Sequence, residues 1–255
     1  MPTPQITTSS ESLVFSFCRV LWRDLGLRRI RLFRSLWAFL IRLWLIQSKN
    51  PAQDRTHFDQ IYSQKADPWN YQLEIQQERY RSALQFLDEI PPDKQALRAL
   101  EIGCSEGRFT RLLAVRCDSL LALDISAIAL DRAKERCADL PQVKFYEWNL
   151  SKDPSPGIFD LVTVMDVLEY YYSPSALRAA RDKIVDMVAP GGYLLITTSK
   201  ARDFIEASHW ARWLYCGSHV LSCIAQHPDL IACKKAEMDI HAQALFRKRD
   251  VSPNS

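Results

Sequence analysis

From residue 98 onward, short apolar runs recur at intervals filled by longer stretches of helical period. One opens at Arg98 and reaches Glu101, and the others fall at 120–124, 143–148, 159–165, 230–236 and 239–246. Runs of this length, bounded by turn residues, predict strands buried on both faces. Residues 108–115 read as the first intervening helix, and the segment carrying His209, Trp210, Trp213 and His219 as the last; His241 then lies inside a strand. Strands alternating with helices predict an α/β architecture around a mostly parallel sheet.

The front of the chain follows another rule. Residues 12–47 are rich in Leu, Phe and Trp but are interrupted by seven arginines, and after Arg19 the longest uncharged run is 35–41. That run is far short of the roughly 18 residues a membrane span needs, and an arginine-studded core does not suit a cleavable secretory signal. At about 100° per residue, Arg19, Arg23, Arg28, Arg31, Arg34 and Arg42 share one half of a helix, and most of the apolar residues share the other. Three readings fit: a helix lying in a membrane interface, a helix packed on its own domain or a partner subunit, and a mitochondrial-type presequence.

Charge sharpens the division. The chain of 255 residues carries +3 overall, but the first fifty hold +6, so the remainder stands at −3. The body therefore lacks the basic stripe of a nucleic-acid binder. Seven dispersed cysteines without a C-x-x-C pair argue against a disulfide framework or structural zinc and suit a reducing cytoplasm. No histidine pair has metal-ligand spacing with carboxylates, so no metal site is expected.

The chemistry concentrates in R-A-L-E-I-G-C-S-E-G, residues 98–107, a strand entering a turn of small residues. Gly103 and Gly107 let backbone approach a ligand, and Cys104 and Ser105 fill the bend between them. A helix following Gly107 would aim its amide end at a ligand. Glu101, at the strand's end, is expected to face a cationic group. Asp124 and Ile125 close the second strand, where an acid suits ribose hydroxyls. Asn149 and Leu150, after the third strand, suit the edge and face of a purine, although Asn149 also suits a turn before Pro154 and Pro156. Asp166 and Glu169-Tyr170 follow the fourth strand. Ligands of open α/β sheets sit at the carboxyl ends of strands, so these segments converge on one crevice. A dinucleotide-binding dehydrogenase would need G-x-G-x-x-G, but Ser105 occupies the second glycine position and two acids, Glu101 and Glu106, would repel a pyrophosphate.

The E-I-G-C-S-E-G turn, Asp124 and the A-P-G-G-Y-L-L-I segment at 189–196, read as a P-G-G turn and the strand after it, resemble class I S-adenosyl-L-methionine-dependent methyltransferases over roughly residues 99–247, with Ser105 standing where that class commonly has glycine. D-P-W-N-Y at 67–71, E-R-Y at 78–80 and F-D-L-V-T-V-M-D-V-L-E-Y-Y at 159–171 resemble the nodulation protein S group more narrowly. The resemblance implies a seven-stranded, mostly parallel Rossmann-like sheet flanked by helices, with its last strand antiparallel. The charge division and the resemblance together divide the chain into a basic extension (1–50), a helical cap (51–98) and the methyltransferase domain (99–250). The resemblance further implies S-adenosyl-L-methionine as cofactor, Trp69 and Tyr80 on a helical cover above it, and substrate entry beside Glu169 and Tyr170. The implied reaction is N-methylation of the exposed amine of a deacetylated chitooligosaccharide. Tyr170 matches the second of the group's paired tyrosines, and Glu169 stands in place of the first.

Methyl transfer from a sulfonium is an in-line displacement that needs alignment rather than a protein nucleophile. An amine attacks only when neutral, which makes Glu169 or Asp166 a candidate for its proton. Asp166 as a cofactor anchor and Tyr170 to Tyr172 as packing aromatics remain alternatives, as do a lipid or quinone-like acceptor at a membrane and a non-catalytic cofactor-binding interaction protein.

Overall fold

A computed structural model of the chain describes residues 54–91, 97–171, 173–199, 218–238 and 240–250. The amphipathic segment 12–47, Tyr172, His209, Trp210 and Trp213 lie outside the described residues. Among the described residues, no helix is long and apolar enough to cross a membrane.

Two helices precede the sheet, α1 (Arg55–Gln64) and α2 (Glu74–Leu87). Then follow β1 (Arg98–Ile102), α3 (Arg108–Leu113), β2 (Ser119–Asp124), α4 (Ala127–Arg136), β3 (Val143–Glu147) and β4 (Phe159–Met165). The chain continues through α5 (Pro174–Asp186), β5 (Val188–Ser199), α6 (Ser218–Ala225), β6 (Leu230–Glu237) and β7 (His241–Lys248). The helix expected over 108–115 ends at Leu113 and tightens into a 3₁₀ turn, Ala114–Arg116. Helix starts carry the caps their sequences advertise: Asp54 accepts from the His57 amide, Ser126 from Ala129, and Ser173 from Ala176 ahead of Pro174.

The strands form one sheet in the order β3-β2-β1-β4-β5-β7-β6. β1 to β5 run parallel, and β7 is antiparallel to both neighbours, as the resemblance implies. β1 pairs β2 on one side and β4 on the other, so the direction of winding reverses there and opens a crevice at the strands' carboxyl ends. Each strand of the middle is apolar on both faces because helices cover both. Leu100, Ile102, Val162 and Val164 pack with Ile184 and Ile224 of α5 and α6, and Ala99, Leu161, Leu195 and Leu245 with Phe86 and Leu113 of α2 and α3. The P-G-G expected to turn before the fifth strand instead sits within β5, beside a register irregularity opposite Phe159–Leu161. A Cβ at Gly192 would stand 2.9 Å from the carbonyl oxygens of Ala189 and Asp160, so only glycine lets β5 pass this close to β4.

α1 lies over the start of α4, burying Phe58 and Tyr62 against Ala129, Ile125 and Trp69. Arg132 of α4 fastens its far end, donating to the carbonyls of Tyr62, Lys65 and Ala66 and to Glu106 Oε1. These carbonyls are the ones a helix end leaves without intrahelical partners. Arg132 thus ties the carboxyl end of α1 to the sheet domain.

Candidate active site

The turn after β1 is built on backbone that few residues tolerate. Gly103 has φ 81°, donates its amide to the Leu123 carbonyl at 2.8 Å, and would set a Cβ 2.3 Å from Val167 Cγ2. Ser105 adopts φ 50° without being glycine. Its amide donates to Asp124 Oδ2 at 2.8 Å, and the Ser126 amide to Asp124 Oδ1 at 2.9 Å. Burial raises the Asp124 carboxyl to about 6, and these amides pull it partly back. The Ser105 hydroxyl meets the Tyr62 hydroxyl at 2.6 Å, and Trp69 Nε1 donates to the same Tyr62 oxygen at 2.9 Å. The Tyr62 hydroxyl thus accepts from Trp69 and shares a hydrogen bond with Ser105, so the cap is pinned to the turn.

The other end of the crevice is organised by Asp166, at φ 54° just past β4, with its amide donating to the Thr197 carbonyl at 2.9 Å. Its Oδ2 pairs with Arg79 of α2. Arg79 is buried, its guanidinium lies 4.7 Å from the Tyr80 ring centre, and Gln243 Nε2 of β7 donates to its main-chain carbonyl. Leu168–Tyr170 form a 3₁₀ turn that buries Glu169, which accepts from Ser199 Oγ at 3.2 Å. Tyr170 meets Phe58 edge to face at 5.2 Å.

A cavity of about 490 Å³ joins these two ends, within the range of small-molecule sites. Of the residues singled out from sequence, Trp69, Gly103, Ser105, Asp124 and Ile125 line it. Asn149, Leu150, Asp166, Glu169 and Tyr170 line it too. Asn149 Oδ1 accepts from the Ser151 amide, the turn role that its position also suited.

Four others stand elsewhere. Glu101 does not face the crevice: on β1 the side chains alternate, Ile102 reaches the cavity, and Glu101 points with Ala99 to the opposite face. Both of its carboxylate oxygens are buried without a hydrogen-bond partner among the described residues, and burial lifts it to about 8. The Thr110 hydroxyl lies near enough to offset this in part, outside hydrogen-bond geometry. Tyr80 is buried between Tyr71 and Phe109, behind the cavity wall. Cys104 packs against Ala122 and Leu130 as a small core residue. Gly107 caps α3 at φ 76°, where a Cβ would stand 3.0 Å from Ala133 Cα; it brings α3 against α4, and neither it nor Arg108 lines the cavity.

Sequence reasoning missed Phe58 and Tyr62, whose i, i+4 spacing marks one face of α1, and Tyr71, Arg79, Ser199 and His241. Arg79 lies inside the E-R-Y motif, in which only Tyr80 carries a role from the resemblance. Among the described residues no cluster of three His, Cys, Asp or Glu side chains is placed to hold a metal.

A doubly wound sheet with an antiparallel β7, a glycine turn after β1 and acids at the ends of β2 and β4 around one cavity are the arrangement of the Rossmann-like methyltransferase fold. The chain belongs to the nodulation protein S (NodS) family, whose model matches residues 56–235. It is 30% identical over 130 residues to nodulation protein S of Sinorhizobium fredii, covering 51% of this chain and 59% of the relative. The corresponding figures for Bradyrhizobium diazoefficiens nodulation protein S are 31% over 140 residues, 54% and 65%. These alignments thus span less than two thirds of the relatives' lengths. The crystal structure of the N-methyltransferase NodS from Bradyrhizobium japonicum, in complex with S-adenosyl-L-homocysteine, superposes with a TM-score of 0.62 at 25% identity, covering 72% of this chain and 93% of that one.

Proposed function

We propose that this chain binds S-adenosyl-L-methionine in the cavity and transfers its methyl group to an amine of an oligosaccharide or a related small acceptor. The observation that carries this reading is a single cavity with carboxylates at both ends, Asp124 at one and Asp166 with Glu169 at the other, in a NodS-family chain.

The residues present fit the cofactor. Each Asp124 oxygen accepts one backbone amide and retains a lone pair for a ribose hydroxyl. Ile125 and Leu150 offer apolar faces to adenine beside Asn149. Gly103 admits the ligand to the backbone, and Trp69, held by Tyr62, covers it. Asp166 Oδ1 is buried without a hydrogen bond among the described residues and suits an ammonium. When bound, the cofactor supplies a methyl on a positively charged sulfur. The amine's lone pair forms the new N–C bond as the C–S bond breaks with its electrons to sulfur. The methylated ammonium then gives up a proton. That proton is assigned to Glu169, which lines the cavity and accepts from the neutral hydroxyl of Ser199, whereas the charge of Asp166 is balanced by Arg79.

A second reading, a lipid or quinone-like acceptor, is favoured by Leu73, Ile75 and Ile240 at the cavity. Calorimetry with S-adenosyl-L-homocysteine tests the cofactor site. Formation of that product from S-adenosyl-L-methionine, with chitotetraose bearing a free terminal amine against a phenolic quinol, separates the acceptors. No product with any acceptor, despite binding, would leave a cofactor-binding interaction protein.

A further inference from the structure

We infer that His241 is an acceptor-binding residue that, together with Glu169, sets the direction of the attacking amine's lone pair. This rests on the amine-methylation reading above. The antiparallel pairing of β5 with β7 places His241 opposite Ser199, and residues directly opposite share a face. Ser199 donates to Glu169, so the strand register alone brings His241 next to the group assigned to the amine. His241 lines the cavity and is only 3% exposed. Its Nε2 lies 3.8 Å from Asp166 Oδ2, and its Nδ1 is buried without a hydrogen-bond partner among the described residues.

The ring's chemistry follows from its neighbours. Burial and the Arg79 guanidinium lower His241 to about 3, so at neutral pH it is an uncharged imidazole with one N–H and one lone pair. The tautomer with its proton on Nε2 is favoured electrostatically by the Asp166 carboxylate 3.8 Å away, and it leaves Nδ1 as a hydrogen-bond acceptor. A buried acceptor without a donor is costly, and native structures keep few of them. A primary amine brings two N–H donors and one lone pair. Donating one N–H to Glu169 and the other to His241 Nδ1 leaves a single direction for the lone pair, toward the methyl group. A hydroxyl, with one hydrogen, satisfies only one of the two acceptors.

The test uses the full chain with the variants His241→Leu and His241→Asn; Asn presents its amide oxygen close to where Nδ1 stands. Each is assayed with S-adenosyl-L-methionine and chitotetraose bearing a free terminal amine, alongside calorimetry with S-adenosyl-L-homocysteine and a melting curve. The expected result for His241→Leu is an acceptor KM raised about tenfold or more, the scale of one lost hydrogen bond, with product-nucleoside affinity and melting unchanged and with His241→Asn restoring KM to within about threefold. An unchanged KM in His241→Leu overturns the assignment, as does a loss of S-adenosyl-L-homocysteine affinity, which would place the imidazole on the cofactor. A wild-type protein that binds S-adenosyl-L-homocysteine but leaves the amine unmethylated also overturns it, whereas failure to bind the nucleoside at all defeats the methyltransferase reading itself.

Discussion

Replacing Glu101 with Gln isolates the cost of one buried carboxyl. Both oxygens of Glu101 are shut away from water and from hydrogen-bond donors among the described residues, and burial raises its folded pKa from the ordinary 4.5 to about 8. The folded protein therefore holds this proton up to about pH 8, while the unfolded chain releases it near 4.5. Between those values the unfolded state binds fewer protons, so stability falls as pH rises. The contribution is fully present below about 4.5 and lost above about 8. At about 1.4 kcal/mol for each pH unit, the wild type sheds up to about 5 kcal/mol across the window. Glu101→Gln keeps the shape of the neutral acid but cannot ionise. Urea unfolding without cofactor at pH 5, 7 and 9 should show similar stabilities at pH 5 and a variant that is more stable by several kcal/mol at pH 9. Asp124 and His241 titrate in both proteins and cancel from the difference. A gap that stays constant from pH 5 to 9 would refute the reasoning, because it would mean that Glu101 is solvated or paired when ionised.

Three further outcomes test the site. Gly103→Ala must place a methyl 2.3 Å from Val167 Cγ2 at φ 81° and should abolish S-adenosyl-L-homocysteine binding by calorimetry; retained affinity would mean that the turn can reshape. Tyr62→Phe removes the hydroxyl shared by Ser105 and Trp69; it should cost about 1–3 kcal/mol in thermal or urea unfolding, and no change would mean the cap is not fastened there. Glu169→Gln should lower kcat with the product nucleoside bound as tightly as before, and undiminished turnover would remove Glu169 from proton handling.

The sheet was legible because its signal is local. Short apolar runs between helical stretches located six strands, the family resemblance supplied the fifth in chain order, and β4 matches its expected limits at both ends. The cavity's sheet-side lining was legible for the same reason, since Asp124, Leu150 and Asp166 end strands or begin the turns after them. What failed was orientation. Glu101 looked like a ligand-facing acid because it precedes a glycine turn, but the two-residue period of β1 turns it to the other face. Gly107 looked like a ligand cradle, but its constraint comes from Ala133, 26 positions along the chain, and no local pattern carries that. His241 looked like one more histidine in a strand, since its meaning depends on a register with Ser199 that only the assembled sheet creates.

Ser105 shows how a departure from a family pattern becomes a feature when its partner is known. As a sequence position it weakens a glycine motif, and as a backbone position it is strained. Among the described residues, three that are not glycine adopt positive φ: Asn70 in the cap, Ser105 after β1 and Asp166 after β4. All three line the one cavity. Such conformations cost on the order of 1–3 kcal/mol each and persist only where surrounding structure holds them. Ser105 is held by the Asp124 carboxylate at its amide and by Tyr62 at its hydroxyl, and Asp166 by the Thr197 carbonyl at its amide and Arg79 at its carboxylate. In each case one tether comes from the sheet domain and the other from the cap. The cavity's strained corners at Ser105 and Asp166 are therefore held between the cap and the sheet domain, and neither is braced by the strand ends alone.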